Sequence, residues 1–282
     1  MAAKLYIPSD KTKKVKDKKS SNILGLPYYM VLTVLTVIPF LIMILYAFSS
    51  SSESIFNIKF SLNNFQMFFS EKLFIKAMLE SLYLAAMSTI ATLIIGYPLA
   101  YIITQLSSRK QVLFISLITV TMWVNMLLSA NALKTLTELI APSLFATDFI
   151  IIVGNVYMFL PYMVLPIYTI LSKIDKNLIE SSYDLGANPV QTFRKVILPL
   201  SLSGVISGSM MVFLPAATTL VIPKYLGAGK RFLIGNLIEN KVIQEGNYGY
   251  GSAISIVIGL ILIGFIILIK RADKYEGVME ND

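Results

Sequence analysis

Long apolar runs separated by short polar stretches extend through nearly the whole chain. Six runs are long enough to cross the hydrocarbon core of a bilayer, which takes roughly 20 helical residues. They are Tyr28–Phe48, Ala77–Thr104, Val112–Leu133, Phe149–Leu171, Leu200–Ile222 and Ser252–Ile269. No small-x-small cleavage site follows the first run, so it is interpreted as a retained helix. The pattern predicts an all-α integral membrane protein with six transmembrane helices.

Composition narrows the function classes. The 282 residues are 56% hydrophobic and 14% charged, with a mean hydropathy of +0.72, which is outside the range of soluble domains. The absence of cysteine and histidine excludes disulfides, thiol nucleophiles, imidazole bases and typical zinc sites. The chain also lacks a glycine-rich phosphate-binding loop with a lysine. We therefore expect a non-catalytic chain that does not itself hydrolyse ATP and binds no cofactor or metal.

Basic residues are unevenly distributed between alternate loops. The N-terminal tail, the second-to-third and fourth-to-fifth connections and the C-terminal tail together hold about twice as many as the other loops, and cytoplasmic loops carry such an excess. Both termini are thus predicted to be cytoplasmic in a multi-pass protein of a bacterial cell membrane. The net charge of +8 reflects this bias and the lipid bilayer as partner, with no nucleic-acid footprint. The predicted parts are a basic tail (1–26), a six-span domain (27–271) with an external segment (49–76) and a cytoplasmic loop (172–199), and a cytoplasmic C-terminal tail (272–282).

The cytoplasmic loop contains the polar stretch IESSYDLGANPVQTFRKVILP. Helical propensity is interrupted at Gly186 and again at Asn188-Pro189, which predicts two short helices with a turn at Gly186. An apolar stripe on this piece, which is too short and too charged to insert, is supplied by Leu178, Ile179, Tyr183 and Leu185. Such a stripe either rests on the protein's own helices or forms a docking surface for a soluble partner.

The spacing within this loop resembles the signature of importer-type ABC permeases. That signature is Glu-Ala-Ala, a glycine after three further residues, and Ile-x-Leu-Pro after nine more. Here Glu180, Ser181 and Ser182 take the places of the triplet, Gly186 that of the glycine, and Val196-x-Leu198-Pro199 that of the ending. The resemblance implies a type I ABC importer permease fold in which this loop is the coupling helix, seated in a cleft of the ATPase subunit. The residues it assigns to coupling are Glu180, Ser181, Ser182, Asp184, Leu185, Gly186, Ala187, Pro189 and Pro199.

Other stretches resemble the B-type permease of spermidine/putrescine ABC importers. They include LPLSLSGVISGSMMVFLPA, YLGAGKRFLIGNLI, FSLNNF and GYPLAY. This resemblance implies transport of polyamines with four kinds of partner: a second permease, two copies of an ATPase that bind ATP and Mg, an extracytoplasmic solute-binding protein and the bilayer. Two alternatives stay open, namely a permease for another small solute such as an amino-phosphonate, iron or an opine, and a membrane scaffold that does not transport.

Polar and aromatic residues at membrane depth are the candidates for the substrate pathway, because carboxylates and ring faces can hold a cationic amine. These candidates are Glu80, Trp123, Asn125 and Tyr162. The alternative interpretation of each, and the more frequent role of such residues, is that of a packing residue or an interfacial anchor.

Lys224 stands where polyamine permeases tend to have an aspartate, and Ser129 and Ala130 stand where they commonly have an arginine. An unpaired ammonium at the outer mouth would repel a polycation. We therefore expect a carboxylate, either Glu239 or one from the partner permease, to neutralise Lys224, and Lys224 and Glu239 join the pathway candidates.

Overall fold

The computed structural model describes residues 20–49, 60–228, 231 and 233–272. The serine-rich part of the predicted external segment and most of both predicted tails lie outside these residues. The described chain divides into two compact units, one that ends at Leu45 and one that begins at Tyr46. The first carries most of helix α1 (Ser20–Ala47), and the second carries all the other helices.

The secondary structure of the described residues is helical apart from an isolated antiparallel bridge between Ser49 and Phe60. After α1 the α-helices are α2 (Asn63–Ser70), α3 (Lys72–Thr104), α4 (Ser108–Val120), α5 (Met126–Ile140), α6 (Asp148–Leu171), α7 (Lys176–Asp184), α8 (Pro189–Thr192), α9 (Leu198–Leu200), α10 (Leu202–Thr218), α11 (Val221–Leu226), α12 (Ile234–Glu239) and α13 (Tyr248–Ala272). Short 3₁₀ helices lie at Thr121–Trp123 and Pro142–Leu144, and π-helices lie at Phe193–Ile197 and Asn240–Gln244.

Among the described residues, four helices are long and apolar enough to span a membrane: α1, α3, α6 and α13. Two bent pairs, α4 with α5 and the Pro189–Leu200 stretch with α10, raise the number to six if each pair is one span. The predicted all-α fold is therefore confirmed, and six spans remain the count that fits the apolar runs.

The predicted third span, Val112–Leu133, is wrong as a single helix. Helix α4 ends at Val120, a 3₁₀ turn follows, and the chain becomes extended at Val124 before α5 begins at Met126, so that the two parts meet at 95°. The side chain of Asn125 accepts a hydrogen bond from the backbone N–H of Leu127, 2.9 Å away, and so caps α5. The break is thus an ordinary helix start placed inside an apolar run.

The predicted fifth span, Leu200–Ile222, is also divided. A 62° bend separates Leu200 from α10, and α10 ends at Thr218 because Thr219 takes an extended conformation before α11 begins. The run remains apolar across both breaks, so hydropathy alone cannot place them.

Helices α3, α6 and α10 pack together at the centre of the second unit. Gly204 and Gly208, spaced four residues apart on α10, allow the backbones of α10 and α6 to approach closely. A Cβ at Gly208 would lie 3.0 Å from the carbonyl oxygen of Met163, and one at Gly204 would lie 3.0 Å from that of Pro166. Small residues with this spacing are typical of packed membrane helices, where van der Waals contact rather than the hydrophobic effect drives association.

A buried polar contact also connects two helices of this core, α6 and α3. The side-chain amide of Asn155 on α6 donates to Ser88 Oγ on α3 at 2.8 Å, and both residues are almost fully buried. An interhelical hydrogen bond of this kind fixes the register of two membrane helices, since an unpaired polar group in a dry core is costly.

Two groups of short elements lie at opposite ends of the core. At one end, Gln111 Nε2 donates to the carbonyls of Thr104 and Leu106, and the Tyr168 hydroxyl donates to Gln111 Oε1, so α3, α4 and α6 are joined where α7 begins. At the other end, the backbone N–H of Ile234 at the start of α12 donates to Ser81 Oγ on α3. The predicted coupling residues lie at the first end, and the pathway candidates Lys224 and Glu239 lie at the second.

Candidate functional site

Helix α7 begins and ends with well-formed caps. The Asp175 carboxylate accepts a hydrogen bond from the backbone N–H of Asn177 at 3.0 Å. At the other end Gly186 has a φ of +80°, its N–H bonds to Tyr183 O, and the N–H of Ala187 bonds to Ser182 O. These are the two bonds of a Schellman motif, in which glycine takes the left-handed conformation without a Cβ penalty. The predicted turn at Gly186 is present.

The second half of the segment Glu180–Pro199, called the signature segment below, begins with a capping box. Asn188 Oδ1 accepts from the N–H of Gln191, and Gln191 Oε1 accepts from the N–H of Asn188. Helix α8 then widens into the π-helix Phe193–Ile197, directly before Pro199 in α9. Because proline has no N–H to donate, an irregular turn beside it is expected.

Large apolar side chains of this region are exposed. The exposed fractions are 50% for Leu178, 45% for Tyr183, 89% for Leu185 and 65% for Val190, whereas Ile179 packs inward against the core. The charged residues Glu180, Asp184, Arg194 and Lys195 are exposed around them and form no ion pair within the described residues. An apolar patch rimmed by free charges is a typical protein-docking surface.

A cleft of about 580 Å³ lies beside this surface. It separates α7 from the turn between α3 and α4, and its lining includes Gln105, Ser108, Lys176, Glu180 and Tyr183. The Glu180 side chain therefore borders both the cleft and the exposed face of α7.

At the opposite end of the core, Lys224 on α11 and Glu239 on α12 form an ion pair. The distance from Lys224 Nζ to Glu239 Oε1 is 2.9 Å. The carboxylate accepts a hydrogen bond from the ammonium and thereby raises the pKa of Lys224 above its usual value, so the lysine stays charged at neutral pH. Of the two neutralising partners expected for Lys224, the structure shows Glu239.

Further ion pairs surround this one. Arg231 lies 2.9 Å from Asp148 at the start of α6, and Lys241 lies 2.8 Å from Glu245. The Lys241 ammonium also faces the rings of Phe74 and Tyr250 at 5.9 and 5.7 Å from their centroids. The charges at this end are therefore largely matched within the chain, in contrast to those of the signature segment.

The other pathway candidates do not gather around this pair. Glu80 pairs with Lys76 one turn earlier on α3, at 3.8 Å, and Asn125 caps α5. Trp123 is 89% exposed at the break between α4 and α5. In the part of the chain that the structure describes, no hydrogen bond or ion pair joins Glu80, Trp123 or Asn125 to Lys224 or Glu239. For Glu80 and Asn125 the structure thus supplies an ordinary helix-stabilising role.

Tyr162 lines an apolar groove of about 530 Å³ between α6 and α10. The lining of this groove also includes Met122, Thr169, Ser207 and Met211. Met122 directly precedes Trp123 in the sequence. Sequence reasoning did not select Met122, Thr169 or Ser207. The small-residue spacing of Gly204, Ser207 and Gly208 is the one signal that could have indicated a close helix contact there.

Sequence comparison identifies known proteins to which this chain is similar. Residues 93–275 match the family described as binding-protein-dependent transport system inner membrane component. The chain is 33% identical over 217 residues to the spermidine/putrescine transport system permease protein PotB of Haemophilus influenzae, which covers 72% of this chain and 76% of that one. It is 32% identical over 230 residues to PotB of Escherichia coli K12, with 76% and 83% covered.

Solved structures agree at the level of the fold. A bacterial ABC transporter that imports the acidic polysaccharide alginate has a chain with a TM-score of 0.68 at 14% identity, covering 89% of this chain and 94% of that one. The MetNI methionine ABC transporter has one with a TM-score of 0.53 at 19% identity, covering 70% and 91%.

The chain therefore belongs to the family of inner-membrane components of binding-protein-dependent transport systems. It is a multi-pass inner-membrane permease with the ABC importer permease fold. Permeases of this family are non-catalytic subunits, and ATP is hydrolysed by the partner ATPase. The matched range includes the whole signature segment.

Proposed function

We propose that this chain is a permease subunit of an ATP-driven importer of polyamines, spermidine and putrescine, and that it forms half of the translocation pathway. The observation that carries the proposal is the similarity to PotB permeases over 72% to 76% of the chain, together with a signature segment that presents an exposed docking surface. The other half of the pathway comes from a second permease, and an extracytoplasmic binding protein delivers the solute.

The signature segment docks onto the ATPase. Leu178, just before the segment, and Tyr183 and Leu185 within it would bury their remaining exposed apolar surface in the ATPase cleft, where full burial of a leucine side chain from water contributes on the order of 1.5 to 3 kcal/mol. Exposed charges of the segment, such as Glu180 and Arg194, would then find partners across the interface. Two ATPase copies, each binding ATP and Mg, would drive the cycle by closing and moving the two permeases' segments.

The charge distribution sets the orientation of this assembly. The basic excess of alternate loops supports an orientation with both termini and the signature segment in the cytoplasm. Helices α11 and α12, at the opposite end of the core, then face the outside. In this orientation the Lys224–Glu239 pair lies at the outer mouth, where the solute leaves the binding protein.

The paired state of Lys224 supports transport of a cation. A free ammonium at the mouth would repel a polyamine, whereas an ammonium already neutralised by Glu239 presents little net field. Tyr162 and its groove would line the route further inside, where ring faces can hold an amine.

The test is uptake of radiolabelled spermidine and putrescine in cells that lack their own polyamine importer. The chain is co-expressed with its companion permease, ATPase and binding protein, and a matched culture lacks only this chain. We expect uptake that depends on this chain and on ATP. Uptake of a different solute would keep the permease assignment and overturn the polyamine assignment, and a complex that binds the ATPase without importing any solute would favour a scaffold.

A further inference from the structure

A serine on α7 forms a partly buried hydroxyl junction with α8. Ser182 Oγ donates to the carbonyl oxygen of Ile179 at 2.7 Å and lies 2.8 Å from Thr192 Oγ1. Since a hydroxyl has one proton to donate, Thr192 must be the donor in the second bond. Thr192 is 1% exposed and Ser182 is partly exposed, so this partly buried bond joins the two short helices.

A second junction repeats this arrangement between α3 and the start of α10. Ser201 Oγ donates to the carbonyl oxygen of Leu198 at 3.0 Å and lies 2.8 Å from the hydroxyl of Tyr97. By the same proton count, Tyr97 donates to Ser201. Ser201 is fully buried, so α3 is tied to the end of the signature segment by a dry hydrogen bond.

Neighbouring residues connect the two junctions. Directly after Thr192, the ring of Phe193 packs edge-on against the rings of Tyr97 and Tyr101, each with a centroid distance of 5.8 Å. Thr192 therefore contacts α7 while the next residue contacts α3. A continuous set of side-chain contacts runs from α7 through α8 to a membrane-spanning helix.

The backbone bonds at Gly186 and Ala187 hold the turn to α7, but within the described residues no backbone hydrogen bond joins α7 to α8. The turn at Gly186 is exposed, and a Cβ built there would meet no atom within 4 Å. If this turn were the only link, α7 could tilt about it without moving α8. The bond between Ser182 and Thr192 closes the turn across its base.

We propose that Ser182 is a positioning residue that locks α7 to α8, so that a displacement of α7 is delivered through Phe193, Tyr97 and Ser201 to helix α3. The inference rests on the proposed coupling function and adds a residue-level device to it. Ser182 stands where the resembled signature has an alanine, which has no hydroxyl to offer. In this chain the replacement supplies the locking group.

The experiment uses the complete transport complex reconstituted in liposomes and measures ATP hydrolysed per polyamine imported. Ser182→Ala leaves the buried Thr192 hydroxyl without its acceptor, and we expect the ratio to rise on the order of three- to tenfold, as for the loss of one buried hydrogen bond. Thr192→Val should raise it less, because Ser182 keeps its bond to Ile179. The double variant should resemble Thr192→Val, since no buried donor is left unpaired.

Two matched variants distinguish the effect of the lost hydroxyl bond from an effect on the stability of the helices. Ser181→Ala changes the exposed neighbouring serine, which makes no side-chain hydrogen bond within the described residues, and should raise the ratio clearly less than Ser182→Ala does. Thr192→Ser keeps the donor and should leave the ratio unchanged. The amount of ATPase that co-purifies should be the same in every variant, because Ser182 positions the docking surface without forming it.

A normal ratio in Ser182→Ala would overturn the inference, and so would equal effects of Ser181→Ala and Ser182→Ala, which would indicate a change in helix propensity. Loss of the ATPase from Ser182→Ala would also overturn it, because Ser182 would then be a docking residue. An unmodified complex that imports no polyamine would instead overturn the proposed polyamine function and remove the basis of the inference with it.

Discussion

The two ends of the helical core differ in how their charged side chains are paired. At the signature segment, Glu180 and Arg194 are exposed without an ion pair among the described residues, beside the exposed Leu185. At the α11–α12 end, Lys224 and Glu239 are paired with each other. The first end thus leaves apolar and charged side chains available to a protein partner, whereas at the second end Lys224, Arg231 and Lys241 each pair with a carboxylate of the same chain. This difference is what an importer requires if one end docks an ATPase and the other receives a solute.

The largest effect on polyamine uptake is expected from a glycine-to-valine substitution, which can be made at both ends of the core. Gly186, in the signature segment, and Gly246, at the other end, both have positive φ values of +80° and +67°, and a Cβ on either would meet open space. Valine at each position should cost about 1 to 2 kcal/mol of backbone strain. We expect Gly186→Val to reduce polyamine uptake by about tenfold or more, since the docking surface is distorted.

Gly246→Val is the matched control for this change and should retain most of the uptake. Membrane insertion of both variants is checked by immunoblotting of the membrane fraction. Equal losses of uptake in the two variants would contradict the proposed difference between the two ends. Normal uptake in Gly186→Val would remove the signature segment from coupling.

A smaller effect is expected from the ion pair. Lys224→Glu and Glu239→Lys each place two like charges face to face, and each should lower spermidine uptake by about two- to fivefold, as is usual for a partly exposed pair. The exchange of both residues restores an opposite-charge pair and should restore uptake. The measurement is initial uptake rate at low and high ionic strength, and the losses should shrink with salt. Single variants that both behave as the unmodified chain would show that the pair is not part of the mouth.

The smallest effect concerns pH. Because the pKa of Lys224 is raised by Glu239, the stabilisation from the ammonium is complete below the ordinary lysine value of 10.5 and is lost only as the pH rises through the higher folded value. Uptake by the unmodified complex and by Lys224→Met should therefore change in parallel between about pH 6 and pH 8. Profiles that diverge in this range would show that Lys224 titrates near neutrality and that the pair is weaker than its geometry indicates.

The sequence predicted the signature segment better than the helix breaks. Gly186 and Asn188-Pro189 act through local backbone rules, so two helices and a turn could be derived from a few neighbouring residues. The 95° bend at Val124 lies inside a run that is apolar on both sides, and hydropathy carries no information about direction. For the same reason the division of the fifth run could not be predicted.

Contacts between elements that are distant in the sequence could not be predicted in detail either. The pairing of Lys224 with Glu239 could be named as one of two alternatives because their charges are opposite, but its geometry depends on how α11 and α12 pack. The hydroxyl junction between Ser182 and Thr192 gives no sequence signal, since serine and threonine are common in helices and loops alike. Glu80 and Asn125 were selected for polarity at membrane depth, and the structure shows local partners for both.

The central claim is that the signature end, and not the α11–α12 end, contacts the ATPase. The chain contains no cysteine, so single cysteines can be introduced at Leu185 and at Ile243, which are 89% and 74% exposed at the two ends. Crosslinking of the assembled complex with a short bifunctional thiol reagent, against an ATPase with cysteines at its permease-facing cleft, is the most direct measurement. We predict a permease–ATPase crosslink from Leu185→Cys and none from Ile243→Cys. A crosslink from Ile243→Cys, or none from Leu185→Cys in a complex that retains the ATPase, would contradict this claim.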